Sequence, residues 1–239
     1  MVYKEDIIKI IDLTLKNYNL KNHRDRFTSY TCETIKGGKV TIEVLELTSK
    51  PTFIKKLKEA KSTVEDTAKW RVDEPSIEDL ENTRIFQTWN GCVFAVKSDG
   101  DIVNVCGKMG DEGYSLDNME AVMHYAVNEC GGDRLDSFDG NWSFYRKCGF
   151  EPREWIGFDE SFGEQIGWVK GRDRAEPVIF MEYTGNKKKL KKEDIKKEKD
   201  DFYFNPKTRV KETTMDEARP DEEIPWDVAY RKRNEHMNK

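Results

Sequence analysis

The spacing of apolar residues changes several times along the chain, and each change marks an element. From Lys4 to Tyr18, Ile7, Ile8, Ile11, Leu15 and Tyr18 recur at helical spacing with charged residues opposite, which predicts an amphipathic helix. The period then drops to two. Arg26 to Ile35 is rich in β-formers (Phe27, Thr28, Tyr30, Thr31, Thr34), and Val40, Ile42 and Val44 alternate towards Thr48; Gly37-Gly38 between the two runs predicts a β-hairpin. Pro51 to Val64 returns to helical spacing, with Phe53, Ile54, Leu57 and Ala60 on one face and Pro51 tolerated in the first turn. Ser76 and Asp79 form a capping-box-like pair and predict a short helix over Ser76 to Glu81. Three strands follow, Arg84 to Trp89, Cys92 to Lys97 and Asp101 to Cys106, separated by the turns Asn90-Gly91 and Ser98-Asp99-Gly100, which makes an antiparallel meander. After a glycine-containing loop, Gly107 to Gly113, a helix from Ser115 to Glu129 turns Leu116, Met119, Val122, Met123, Ala126 and Val127 inward and stops at Gly131-Gly132. A strand (Asp133 to Phe138), a short helix (Asn141 to Lys147) and two more strands (Phe150 to Phe158, Pro177 to Tyr183) complete the pattern. It predicts an α/β (α+β) fold: a mixed, mostly antiparallel sheet with a βαβ crossover and flanking helices.

Composition divides this chain into parts. Of 239 residues, 36% are apolar or aromatic and 36% are charged, against roughly 25% charged in an average domain, so part of the chain is expected outside the core. Residues 1–185 hold 25 basic and 33 acidic side chains, a net −8, whereas residues 186–239 hold 16 and 13, a net +3. We therefore expect an N-terminal helix and first hairpin strand (1–39), a folded domain (40–185) and a charged, partly helical or disordered C-terminal tail (186–239). The run Lys187 to Asp201 has only Leu190 and Ile195 as aliphatics and reads as a solvated helix or a linker. Beyond it, Phe202-Tyr203-Phe204 and Ile224-Pro225-Trp226 with Val228 and Tyr230 are aromatic anchors, so residues 202–230 are the expected docking segment for the body or for a protein partner.

The same numbers exclude several classes. A net charge of −5 from 46 acidic and 41 basic residues does not point to nucleic acid; acidic residues also interrupt the one basic run. No stretch approaches the ~20 apolar residues of a membrane span, and the N-terminus lacks a signal-peptide pattern, so a cytoplasmic protein with no membrane partner is expected. The five cysteines (Cys32, Cys92, Cys106, Cys130, Cys148) are scattered without a C-x-x-C pair, and the three histidines are equally dispersed. Neither a disulfide framework nor a metal site is expected; the cysteines read as small hydrophobes.

The order of elements, together with Tyr145 four residues before Gly149-Phe150 in Phe144-Tyr145-Arg146-Lys147-Cys148-Gly149-Phe150, resembles the GNAT acetyltransferase superfamily. Trp70-Arg71-Val72-Asp73, Ala95-Val96-Lys97 with Gly100-Asp101-Ile102, Asp133-Arg134-Leu135-Asp136, Phe138 with Gly140, and Gly171-Arg172-Asp173 before Glu176 to Phe180 resemble a GNAT-like group common in bacteriophage and prophage genomes. The likeness spans about Val40 to Gly185. It implies two central parallel strands that splay apart, with acetyl-CoA in the gap: its pantetheine arm along the strand ending at Val105 and Cys106, and its pyrophosphate on Gly107, Lys108, Gly110 and Gly113 before the next helix. The superfamily's usual Gln/Arg-Gly-x-Gly spacing is not kept here, and a plain strand-to-helix loop accounts for these glycines as well.

The resemblance further implies that Tyr145 is the general acid; as a helix aromatic beside Trp142 and Phe144 it also reads as core. For a base, Asp136, Asp139 and His124 are the candidates. The segment Asp159 to Arg174 exceeds a hairpin loop, which makes Trp168, Lys170 and Arg172 candidates for contacting an acceptor amine, or else residues that pin the loop. Two functions follow: an acetyltransferase acting on an amine of a protein or small molecule, or a catalytically degenerate GNAT-like binding or virion-associated module acting through its tail.

Overall fold

The computed structural model describes residues 26–110 and 115–208. The helix expected over Lys4 to Tyr18, Gly113 with its immediate neighbours, and the Ile224 to Tyr230 cluster lie outside the described residues.

A first hairpin, β1 (Thr28–Glu33) and β2 (Lys39–Leu47), leads to α1 (Lys50–Ser62), which Ser49 caps by accepting from the Thr52 N–H at 3.3 Å. The meander β3 (Thr83–Thr88), β4 (Val93–Lys97) and β5 (Ile102–Cys106) follows, then α2 (Leu116–Asn128), capped by Ser115. The crossover delivers β6 (Arg134–Phe138), a 3-10 turn (Asp139–Asn141), α3 (Trp142–Cys148) and β7 (Phe150–Ile156). The described residues close with α4 (Glu160–Gln165), β8 (Val178–Tyr183) and α5 (Lys192–Tyr203). The strands form two antiparallel sheets, β1-β2-β3-β4-β5 and β6-β8-β7. Among the described residues these sheets join at one parallel bridge, Asp101 to Arg134, beyond which β5 and β6 part. This is the mixed α/β architecture with its βαβ crossover that the element order predicts.

Strand alternation sorts the core into two layers. Phe86, Phe94 and Val96 face α2 and α3 in the larger cluster, while Ile85, Val93 and Ala95 face Phe53, Leu57 and Ala60 of α1. In β5 the parity breaks: Ile102 belongs to the first cluster and Cys106, four residues later, to the second. The cause is a bulge. Val93 pairs with Cys106 but Ala95 with Val103, leaving an extra residue in β5, and Asn104 takes the left-handed conformation at φ 53° that asparagine tolerates better than branched residues. Cys92, Cys106 and Cys148 are buried and all five cysteines are free thiols.

Three expectations are corrected. Over Ser76 to Glu81 the capping bonds form, with Ser76 N–H donating to Asp79 at 2.8 Å and Asp79 N–H to the Ser76 hydroxyl at 3.2 Å, yet only turns follow. The chain must enter β3 at Thr83, too soon to propagate a helix from that costly nucleus. The loop Asp159 to Arg174 holds a helix, α4, because Asp159 accepts from the Ser161 and Phe162 N–H groups. Finally, α5 is a helix solvated along most of its surface, but one face of it docks on the body. Ile195, Glu198, Lys199 and Phe202 fall at i, i+3, i+4 and i+7, an inward stripe whose centre is ionic, so a count of aliphatics misses it. Phe202 and Tyr203 pack on Trp142 and Trp155, with ring centroids 5.0–6.2 Å apart.

Candidate functional site

Where β5 and β6 diverge, a cavity of about 720 Å³ opens. One wall is β5 itself, Ile102 to Cys106 with Gly107; facing it stand Asp136, Ser137 and Phe138 of β6 and Asn141, Phe144 and Tyr145 around α3. The α1–β3 connection contributes Glu65, Ala68, Arg71, Val72 and Asp73, and α4 contributes Phe162 and Ile166. Leu116 and Met119 of α2 complete the end next to Gly107.

The β6 wall presents different chemistry to its two sides. Leu135 joins the α2/α3 core and Ser137 is hydrogen bonded to the Tyr145 side chain, whereas Phe138, on the other face with Asp136, packs on Trp70 at 4.5 Å. Tyr145 is 7% exposed. Burial first, then the charges of Cys148 and Asp136, push its phenol above the ordinary tyrosine range, partly offset by Ser137. It therefore stays protonated at neutral pH. Cys106 also lines the cavity, and burial pushes its thiol up to about 12, so it presents an apolar, unreactive surface.

A brace stands behind one wall of the cavity, where Arg71 lines it. Arg71 pairs with Glu176 at 2.5 Å, and the second oxygen of Glu176 accepts from the Gly140 N–H at 2.8 Å. Glu176 is 1% exposed, and a Cβ on Gly140 would come within 2.9 Å of its carboxylate, so only glycine fits. Asn104 reaches the same loop, its side-chain amide donating to the Asp73 carbonyl at 3.2 Å. The bulge in β5 and the loop over it are thus fastened together.

The structure gathers some sequence candidates and disperses others. Tyr145, Val105, Cys106, Gly107 and Asp136 line the cavity. Lys108 does not: its stem lies against Gly91, where a Cβ would approach it to 2.6 Å. Gly110 adopts φ 82° in open space, outside the lining. Trp168, Lys170 and Arg172 also stand away from it. Trp168 is 4% exposed and packs on Phe158 at 4.9 Å, Lys170 pairs with Glu160 at 2.7 Å, and Arg172 makes two bonds to Asp173. From that segment it is Phe162 and Ile166 that reach the cavity. Asp139 is held by Lys199 at 2.6 Å and Tyr203 at 2.5 Å, and His124 sits on α2, where burial lowers its pKa; neither lines the cavity. The brace residues Arg71, Gly140 and Glu176 are quoted in the resemblance, but nothing in their spacing assigns them to one another.

No protein-family model and no curated protein matches the sequence. Among solved structures, a chimera of the Vibrio cholerae spermidine N-acetyltransferase SpeG with hSSAT aligns at TM-score 0.36 and 11% identity, covering 59% of this chain and 94% of that one. Spermidine N-acetyltransferase from Vibrio cholerae, in complex with CoA and spermine, aligns at TM-score 0.37 and 11% identity, covering 59% and 93%. At these scores the likeness is too loose to bear on function, which rests on the chain's own topology and cavity.

Proposed function

We propose that the chain is an acyltransferase moving an acetyl group from acetyl-CoA to an amine on a protein or small molecule. The observation that carries this reading is the divergence of β5 and β6 into an open cavity with Tyr145 in its wall, four residues before Gly149-Phe150. The residues present suit the cofactor. The β5 bulge interrupts the ladder on the strand that would receive the pantetheine arm, and Val105, Met109, Leu116 and Phe144 offer it apolar surface. The start of α2, beside Gly107, turns the positive end of the helix dipole towards a pyrophosphate.

Bound acetyl-CoA supplies an activated thioester, and a C–N bond to the acceptor forms as the C–S bond breaks. Tyr145 holds the proton that the departing sulfur requires. Asp136, on the other face of β6, takes the proton lost by the amine. With Glu65 and Asp73 it also makes the acceptor side acidic, favouring a cationic amine. A phage or prophage origin and a place in the bacterial cytoplasm belong to this reading as what the residue resemblance implies.

Calorimetric titration with acetyl-CoA tests the proposal: micromolar to submillimolar binding is expected, and no heat at millimolar ligand removes it. Tyr145→Phe is then expected to lower kcat by about 10²-fold or more while acetyl-CoA affinity holds within about twofold.

A further inference from the structure

Helix α3 carries Tyr145 but has little of its own to hold it in place. It is 7 residues long and makes no side-chain N-cap bond, and helices this short are marginal without tertiary support. Lys147 ties α3 to Asp117 and Glu120 of α2, Arg146 Nη1 donates to the Phe150 carbonyl, and the rest of its support comes from α5. Arg146, 1% exposed and directly after Tyr145, receives Glu198: its Nη2 donates at 2.9 Å and its Nε at 3.2 Å. The same carboxylate accepts from the Trp142 indole N–H at 2.9 Å. One turn before α3, Asp139 is gripped by Lys199 and Tyr203, and just ahead of α5 the Lys188 N–H donates to the Arg146 carbonyl at 3.0 Å. Trp142 and Arg146 are one turn apart, so bonds to both fix the rotation of α3 about its axis. Tyr145 projects from the adjacent face, and its position in the cavity wall follows from that rotation.

We propose that Glu198 is a positioning residue for Tyr145, acting through Trp142 and Arg146, so that the C-terminal helix is part of the catalytic apparatus. The inference rests on the acetyltransferase reading for its kinetic consequence and on the packing alone for its structural one. The test uses the full chain labelled with 3-fluorotyrosine, the position-145 resonance being assigned by its loss in Tyr145→Phe. Glu198→Ala is expected to shift and broaden that resonance. It is also expected to lower kcat about tenfold, as small misplacements of a catalytic group do, with the acetyl-CoA dissociation constant unchanged within about twofold. In the Tyr145→Phe background the same substitution should cost nothing more, because both act through one group. Glu198→Gln keeps an acceptor for Trp142 and should restore part of kcat; it carries the measurement if the alanine variant does not fold. An unmoved resonance in a folded variant, or losses that simply multiply, overturns the proposal. If the unaltered chain transfers no acetyl group, the acetyltransferase reading falls, and the resonance still decides whether Glu198 positions Tyr145.

Discussion

Two charged segments, residues 159–174 and α5, resemble each other in composition and differ in where their charges go. In the first, most ions pair with near neighbours, Lys170 with Glu160 and Arg172 with Asp173, whose other role is to accept from the Val169 N–H; Arg174, at the segment's end and exposed, reaches Asp139 at 3.8 Å. In α5 they pair across long separations, Glu198 with Arg146 and Lys199 with Asp139. The difference sets what each segment can do. Mostly local pairing leaves the segment largely self-contained, and only its apolar members, Phe162 and Ile166, reach the cavity. Long-range pairing gives α5 no cavity contact but makes it a support of the helix that carries Tyr145. A charged run is therefore informative about function only once its partners are known.

The contrast can be broken by mutation. The largest effect is expected from Arg146→Ala, which leaves Glu198 with only Trp142 and Lys188 beside a buried gap; loss of one partner of a buried pair costs up to about 3–5 kcal/mol, and this variant should unfold in urea earlier than the parent. Equal midpoints would show that α5 is not gripped as described. Next, Phe162→Ala and Ile166→Ala should each raise KM for the acceptor amine about tenfold by removing apolar contact, with acetyl-CoA affinity unaffected; a change in cofactor affinity instead would move the segment to the other end of the cavity.

A pH series comes third. Burial raises the Glu198 pKa, but Arg146, Trp142 and Lys188 together outweigh it and leave the carboxyl below its ordinary value of 4.5. A depressed folded pKa means that the stabilisation is present above the unfolded value and is lost as pH falls through the folded one. The difference in urea midpoint between the parent and Glu198→Gln should therefore be constant near neutrality and shrink below about pH 4.5; a difference that grows on acidification contradicts the assignment. The smallest effect belongs to Lys170→Ala, whose exposed pair should leave both the unfolding midpoint and turnover where they were.

Much of this was legible in the residues, for identifiable reasons. Alternation in β3 and β4 and the 3.6-residue spacing of α1 and α2 are strong because each element buries one whole face. Tyr145, Gly149 and Phe150 stand at fixed local spacing, and the structure shows why position 149 is glycine: φ is 96° there, and a Cβ would touch the Tyr183 ring at 3.0 Å. What escaped were features made by distant partners. The inward face of α5 contains Glu198 and Lys199, which pattern reading assigns to solvent. The brace joins Arg71 to Glu176 across 105 positions. Lys108 fits a phosphate loop by sequence, but its stem lies against Gly91 on the neighbouring hairpin.

The 52-residue separation of Arg146 and Glu198 has a temporal side. Translation proceeds at about 5–20 residues per second, so Arg146 leaves the ribosome about 3–10 s before its partner. Both sheets and α3 have been made before Glu198 is, and until it follows the guanidinium has no carboxylate from α5 to meet. A nascent chain thus holds the cavity walls before α5 can hold the phenol in register.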